Sequence, residues 1–179
     1  YGITEAGMKK TGRDARVLPR TVIYDPELTL TLPVALSITS GINAMAHAAE
    51  CLYATDGNPI MDLLSEEGIA ALARALPLLH QKPQDLSARS DALYGAWLCG
   101  QALANAGMAI HHKLCHTLGG SFNLPHAETH TIVLPHALAY NQHAAPDAYA
   151  RMSRALKAAR SEEHTSELQS QSTISYAVF

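Results

Sequence analysis

From Pro33 onward apolar residues recur at three- and four-residue spacing almost without interruption, a period that suits stacked helices and little else. The spacing predicts a first helix over 34–54 that carries Asn43 and His47, with Gly41 a weak point in its interior. Asn58-Pro59 opens a second helix, in which Leu63, Leu64, Ile69, Leu72 and Leu76 keep the period. A third is expected over 87–106, with Tyr94 and Trp97 as core aromatics and Gly107 as its stop. A fourth carries His112 and His116 and ends at Gly119-Gly120; a fifth covers 127–140 with His130 and His136; a sixth covers 146–159. Short connections between these segments favour antiparallel neighbours, so the expected fold class is mainly α, a helical bundle.

The residues before Pro33 follow a different pattern. KKTGRD carries turn chemistry, and Arg20 to Tyr24 (RTVIY) is a β-branched run that reads as a strand stopped by Asp25-Pro26. Lys9, Lys10 and Arg13 read best as a solvated turn, with an anion contact the weaker option. Residues 1–32 are therefore taken as a strand-containing remnant of another domain, and 33–159 as an incomplete helical one. A chain opening on Tyr1 is expected to have lost something upstream. The last twenty residues, RSEEHTSELQSQSTISYAVF, read as the translation of a sequencing-library adapter, so 160–179, His164 included, are set aside.

Composition excludes several classes of function. A net charge of −3 with no Lys/Arg stripe argues against nucleic acid. No apolar run reaches membrane-spanning length. Cys51, Cys99 and Cys115 are widely spaced and form no CxxC, which suits reduced thiols in a cytoplasmic protein.

Chemistry concentrates between Ala109 and Asn141 (AIHHKLCHTLGGSFNLPHAETHTIVLPHALAYN), which holds six of the ten histidines. His112 and His116 share a helix face, as do Asn43 and His47 in SGINAMAHAAECLYA, and His126 follows in a short connection after Pro125. Two such pairs and a loop histidine can converge on one small site, as a metal ion or a polarised carbonyl requires. Histidines at helical spacing also serve as plain core residues, and a non-catalytic helical module is the alternative of another class. That reading suits His136 best and is as good as a site role for His111 and His130.

The strings GMKKTGRD, RTVIYDP, SGINAMAHAAECLYA and HHKLCHTLGGSFNLPHAETH together resemble the maleylacetate reductases, a group within the iron-containing alcohol dehydrogenase family and related in fold to dehydroquinate synthase. The resemblance spans residues 1–159. It implies an N-terminal nucleotide-binding α/β domain, of which 1–32 is the end, and a C-terminal helical catalytic domain. It implies NADH or NADPH as cofactor, with the glycine-rich pyrophosphate loop upstream, since no strand precedes Gly119-Gly120.

In metal-dependent relatives the ligands are an Asp and a His on one helix and two later histidines. Those positions here are Asn43, His47, His112 and His126, and His116 matches a histidine near the nicotinamide. A neutral carboxamide at position 43 is a far weaker ligand than a carboxylate, so the metal positions are expected to be vestigial, although three imidazoles suffice for zinc elsewhere. The resemblance implies reduction of maleylacetate to 3-oxoadipate in aromatic-compound breakdown, with Asn43, His47, His112, His116 and His126 as catalytic residues. It also implies a small dicarboxylate substrate that Lys113 would contact, and a homodimer is compatible with it. A metal-dependent alcohol dehydrogenase of the same family is the enzymatic alternative.

Overall fold

The computed structural model describes residues 2–5, 8–12 and 14–165. A hairpin of β1 (Gly2–Glu5) and β2 (Met8–Thr11) comes first, antiparallel, pairing Gly2 with Thr11 and Glu5 with Met8. Six helices follow: α1 (Val34–Cys51), α2 (Pro59–Gln81), α3 (Leu86–Asn105), α4 (Ile110–Phe122), α5 (His126–Asn141) and α6 (Pro146–Thr165). The mainly helical class with a short strand-containing lead-in is the observed one.

The helix starts follow local chemistry. The Asn58 side chain accepts from the amides of Ile60 and Met61, both at 3.1 Å, with Pro59 at the first helical position where its missing N–H is harmless. Asp85 caps α3 by accepting from Ala88 at 3.1 Å. Neither α4 nor α5 has a side-chain cap from its own N-cap residue.

Three local expectations are corrected. Arg20 to Tyr24 is not a strand: it runs without a ladder, and Val22 and Ile23 are exposed. β propensity needs a partner to become a strand, and the pairing is instead made by β2, whose Met8–Thr11 includes part of the predicted turn. Helix α4 does not stop at Gly119-Gly120. It continues to Phe122 and ends where Asn123 adopts a left-handed φ of 51°, a conformation Asn tolerates better than most residues. His126 is consequently the first residue of α5, not part of a loop. Helix α6 runs past Ala159 to Thr165, carried by helix-compatible residues such as Glu162 and Glu163. The rest of the tail, 166–179, and Arg13 lie outside the described residues.

Helices α1, α2 and α3 pack on one another, α6 lies along α2, and α5 joins α1 to α4. Small side chains allow this closeness: Ala46, Ala48, Ala71 and Ala75 are completely buried. Leu72, Leu79 and Leu98 fill the gaps, each contributing about 1.5–3 kcal/mol by leaving water. Gly41 is a contact point, since a Cβ there would lie 2.6 Å from Leu76 Cδ2. Arg89, almost fully buried, donates to Ser37 Oγ at 2.8 Å and to the Pro83 carbonyl at 3.0 Å, tying α3 to the start of α1. Tyr94 and Trp97 are not core aromatics. Each is about 40% exposed (43% and 40%), and with Tyr24 and Pro26 they line a surface hollow of about 220 Å³.

A Cβ on Gly95 would meet Leu72 Cγ at 2.7 Å and two backbone atoms, Leu72 N at 3.1 Å and Gly68 O at 3.2 Å. Gly95→Ala should therefore destabilise the full-length protein by about 1–3 kcal/mol through overpacking, although Ala is the better helix former by about 1 kcal/mol. Chemical unfolding of the two proteins checks the sign.

Candidate active site

One face of α1 sets up the site. Asn43, His47 and Glu50 follow at intervals of four and three, so they point the same way from a helix otherwise rich in alanine. Glu50 is fully buried, and its carboxylate accepts from the backbone of α4's first turn: Ala109 N at 2.9 Å, His111 N at 2.7 Å and His112 N at 3.4 Å. It also meets His112 Nδ1 at 2.7 Å and accepts from the Tyr53 hydroxyl at 3.3 Å. An acid from another helix thus caps α4, satisfying donors that the N-cap Ala109 cannot, and it sits at the positive end of the helix dipole. Burial by itself would raise the Glu50 pKa. The His112 bond and the amides of Ala109 and His111 outweigh it and hold the carboxyl below its ordinary value.

Six histidines gather beside this anchor. The His47 ring stacks on His112 with centroids 4.5 Å apart, which joins α1 to α4. His130, on α5, packs against His112 at 4.7 Å, His111 at 4.8 Å and His126 at 4.3 Å. His116 and His126 stack at 6.1 Å. The cluster is graded in depth: His111 and His130 are fully buried, His112 nearly so, His47 intermediate, and His116 and His126 exposed at the mouth. Burial pushes His47 down to about 3 and His111 down to about 4, and lowers His130 as well, so these three rings are neutral near pH 7.

All five expected site residues belong to this assembly or border it. His47, His112, His116 and His126 are in ring contact with other histidines, and Asn43 lies one turn before His47 with its Oδ1 buried and unpaired. Lys113 is exposed on α4, and His136 is exposed on α5 rather than packed. Two further members were left open by the sequence reading and one escaped it. His111 and His130, for which packing and a site role were weighed equally, join at 3.0 Å between His111 Nε2 and His130 Nδ1, at the buried end of the cluster. Glu50 was missed altogether. A lone acid seven residues after Asn43 in an alanine-rich helix was the available signal.

Of the four positions that the resemblance assigns to metal binding, three are histidines and one is Asn43. Position 43 offers a neutral carboxamide. Among the described residues, the ring nitrogens gathered within 4.8 Å of one another belong to His111, His112 and His130, whereas His126 stands beyond His130 at the mouth. Helix α4 does not offer a pyrophosphate cradle. The amides at the start of α4 are taken by Glu50, and Gly119-Gly120 lie at that helix's C-terminal, negative end.

Residues 37–175 match the Fe-containing alcohol dehydrogenase family, C-terminal, and the chain belongs to that family. A maleylacetate reductase from Burkholderia cepacia is 66% identical over 156 residues, covering 87% of this chain and 44% of that protein. The crystal structure of maleylacetate reductase from Agrobacterium tumefaciens is similar, with a TM-score of 0.83 at 58% identity, over 86% of this chain and 44% of the other. An iron-containing alcohol dehydrogenase structure from Corynebacterium glutamicum has the same TM-score, 0.83, at 44% identity, over all of this chain and 51% of its own. The chain thus spans about half the length of the relatives it matches.

Removing the Glu50 carboxylate would leave buried amides and the His112 Nδ1–H without a partner. Glu50→Ala should cost about 3–5 kcal/mol of stability, and Glu50→Gln, which keeps one acceptor oxygen, about 1–3 kcal/mol. Unfolding of the full-length variants measures both, and equal costs would show that the charge, not the acceptor, is what α4 needs.

Proposed function

We propose that this chain is the catalytic-domain part of a maleylacetate reductase, which reduces maleylacetate to 3-oxoadipate at the expense of NADH or NADPH in the breakdown of aromatic compounds. The observation that carries the reading is the 66% identity to such an enzyme across the segment that builds the histidine cleft. Residues 33–159 would be the helical catalytic domain and 1–32 the end of the nucleotide-binding one. The enzyme would be cytoplasmic and compatible with a homodimer. Among the described residues no helix is long and apolar enough to cross a membrane, and the three cysteines are free and buried.

The ketone survives in the product, so the net reduction is of the conjugated C=C bond. The nicotinamide supplies the hydride, which adds at the alkene carbon β to the ketone. Negative charge then moves to the ketone oxygen as an enolate, and the α carbon takes up a proton. This chain must supply a hydrogen-bond donor at the oxygen and a proton source at carbon.

The geometry sorts the candidates. His47 is neutral and half-buried, so it suits hydrogen bonding better than acid catalysis. His116 is exposed at the mouth, where solvent can replace a proton it has given up, and it is assigned the proton delivery. His126, opposite it, is assigned the donor to the enolate oxygen, a contact typically worth about 2.7–4 kcal/mol. His112, locked by Glu50, holds His47 in place by stacking. Exposed Lys113 on the same helix is the cation offered to a substrate carboxylate.

The full-length enzyme should oxidise NADH or NADPH on addition of maleylacetate. His116→Ala should lower kcat by about 10²–10⁴-fold, and a solvent-borne weak acid such as imidazole should restore part of it. Steady-state kinetics decide: unchanged turnover in His116→Ala removes its role, and no turnover by the folded parent enzyme removes the whole assignment.

A further inference from the structure

The connector that leads into α1, residues 24–37, is fastened to α3 along its length. Glu27–Thr29 forms a 3-10 turn that packs on α3. Tyr24 and Pro26 border the hollow whose other wall carries Tyr94 and Trp97 of α3. The Gln84 side chain, two residues before α3, donates to the Leu30 carbonyl at 2.8 Å. Arg89, near the start of α3 and 2% exposed, donates through Nη2 to the Leu32 carbonyl at 3.4 Å and through Nη1 to Ser37 Oγ at 2.8 Å. Its Nε donates to the Pro83 carbonyl at 3.0 Å.

Arg89 is an unusual buried charge. Among the described residues it meets no carboxylate, and its partners are two carbonyl oxygens and a hydroxyl. Taking a guanidinium out of water without a counter-ion is unfavourable, and an apolar side chain of similar volume would fill the space without that penalty. What the guanidinium adds is geometry. Its N–H groups form a rigid planar fork, so it fixes three segments at once: the chain just after α2, the connector, and the first turn of α1.

We propose that Arg89 is a positioning residue for the reduction: it clamps the connector to α3 and so fixes where the nucleotide-binding part of the enzyme presents its nicotinamide to the histidine cleft. The inference rests on the reductase reading, in which residues 1–32 end the nucleotide-binding domain. Ser37 is on the same helix as Asn43 and His47, roughly 9–15 Å before them along the axis at 1.5 Å per residue, so the clamp ends on the wall of the site itself. Hydride transfer needs reacting atoms about 3–3.5 Å apart, and a displacement of about 1 Å caused far from the chemistry can cost about 100-fold. A connector free to swing would spread the nicotinamide over larger distances than that. Arg89 is buried, so it acts through the backbone it holds and not by contact with the substrate.

The test is single-turnover oxidation of NADH or NADPH bound to the full-length enzyme, started with saturating maleylacetate and followed by loss of nucleotide fluorescence. Arg89→Met keeps the volume and removes all three hydrogen bonds. Its hydride-transfer rate per occupied site should fall by about 10–100-fold, with nucleotide affinity within a few-fold of the parent and partial recovery in Arg89→Lys. Nucleotide deuterated at the transferred position should slow the observed step, which identifies it as hydride transfer. A merely structural role would lower the folded fraction and leave the rate per occupied site unchanged, and that result overturns the proposal. If Arg89→Met does not fold, Gln84→Ala, at an exposed position, carries the test: a several-fold drop is expected, and an unchanged rate overturns the proposal. A parent that does not turn over maleylacetate removes the reductase reading and this proposal together, whereas an active parent with unchanged variants removes the proposal alone.

Discussion

The Glu50 carboxylate is the contact on which the site depends. It joins α1 to α4 through three backbone amides and one imidazole, all of them buried except the half-buried Ala109 amide. Without it α4 would begin on Ala109 with uncapped donors, and its tie to α1 would be left to the His47–His112 stack and to α5. Because His111 and His112 are in that first turn, and His116 is one turn further, the same carboxylate sets the position of half the histidine cluster. A buried charge is tolerated because every oxygen is hydrogen-bonded and the helix dipole points its positive end at it.

The alanine- and glycine-rich packing of α1, α2 and α3 provides the platform. Close approach of these helices, with Gly41 against Leu76 and Gly95 against Leu72, buries α1 on its outer face and leaves the Asn43–His47–Glu50 face for α4 and α5. Helix α5 then returns along α1 and brings His126 and His130 back to the histidines of α4. A rigid scaffold and a polar cleft are thus two sides of one helix. The rings between α4 and α5, His111 and His130, lose water, and those further along the cleft, His116 and His126, keep it.

Periodicity made most of the helices legible. The 3.6-residue repeat, Asn58-Pro59 and Gly107 located α1 to α3 within a few residues, because turn chemistry and apolar spacing are local properties. The errors were also local in kind. RTVIY lacks a partner strand, which no local pattern can reveal, and Gly119-Gly120 looked like a helix stop although the helix ends at Asn123. Tyr94 and Trp97 have the composition of a core but stand on the surface, since burial depends on what another segment covers.

The sequence by itself determined that the chain is helical and that Asn43 with His47, and His112 with His116, each share a helix face, because i, i+4 spacing aligns side chains. Family membership was legible for the same reason: the motif lies within short stretches of chain. Only the tertiary structure decided that Glu50 holds α4, that His111 and His130 form the buried end of the cluster, and which rings meet solvent. Those facts arise from contacts across 19 to 62 residues of chain, where hydrogen-bond geometry and desolvation depend on how the helices cross. No spacing within a single helix encodes them.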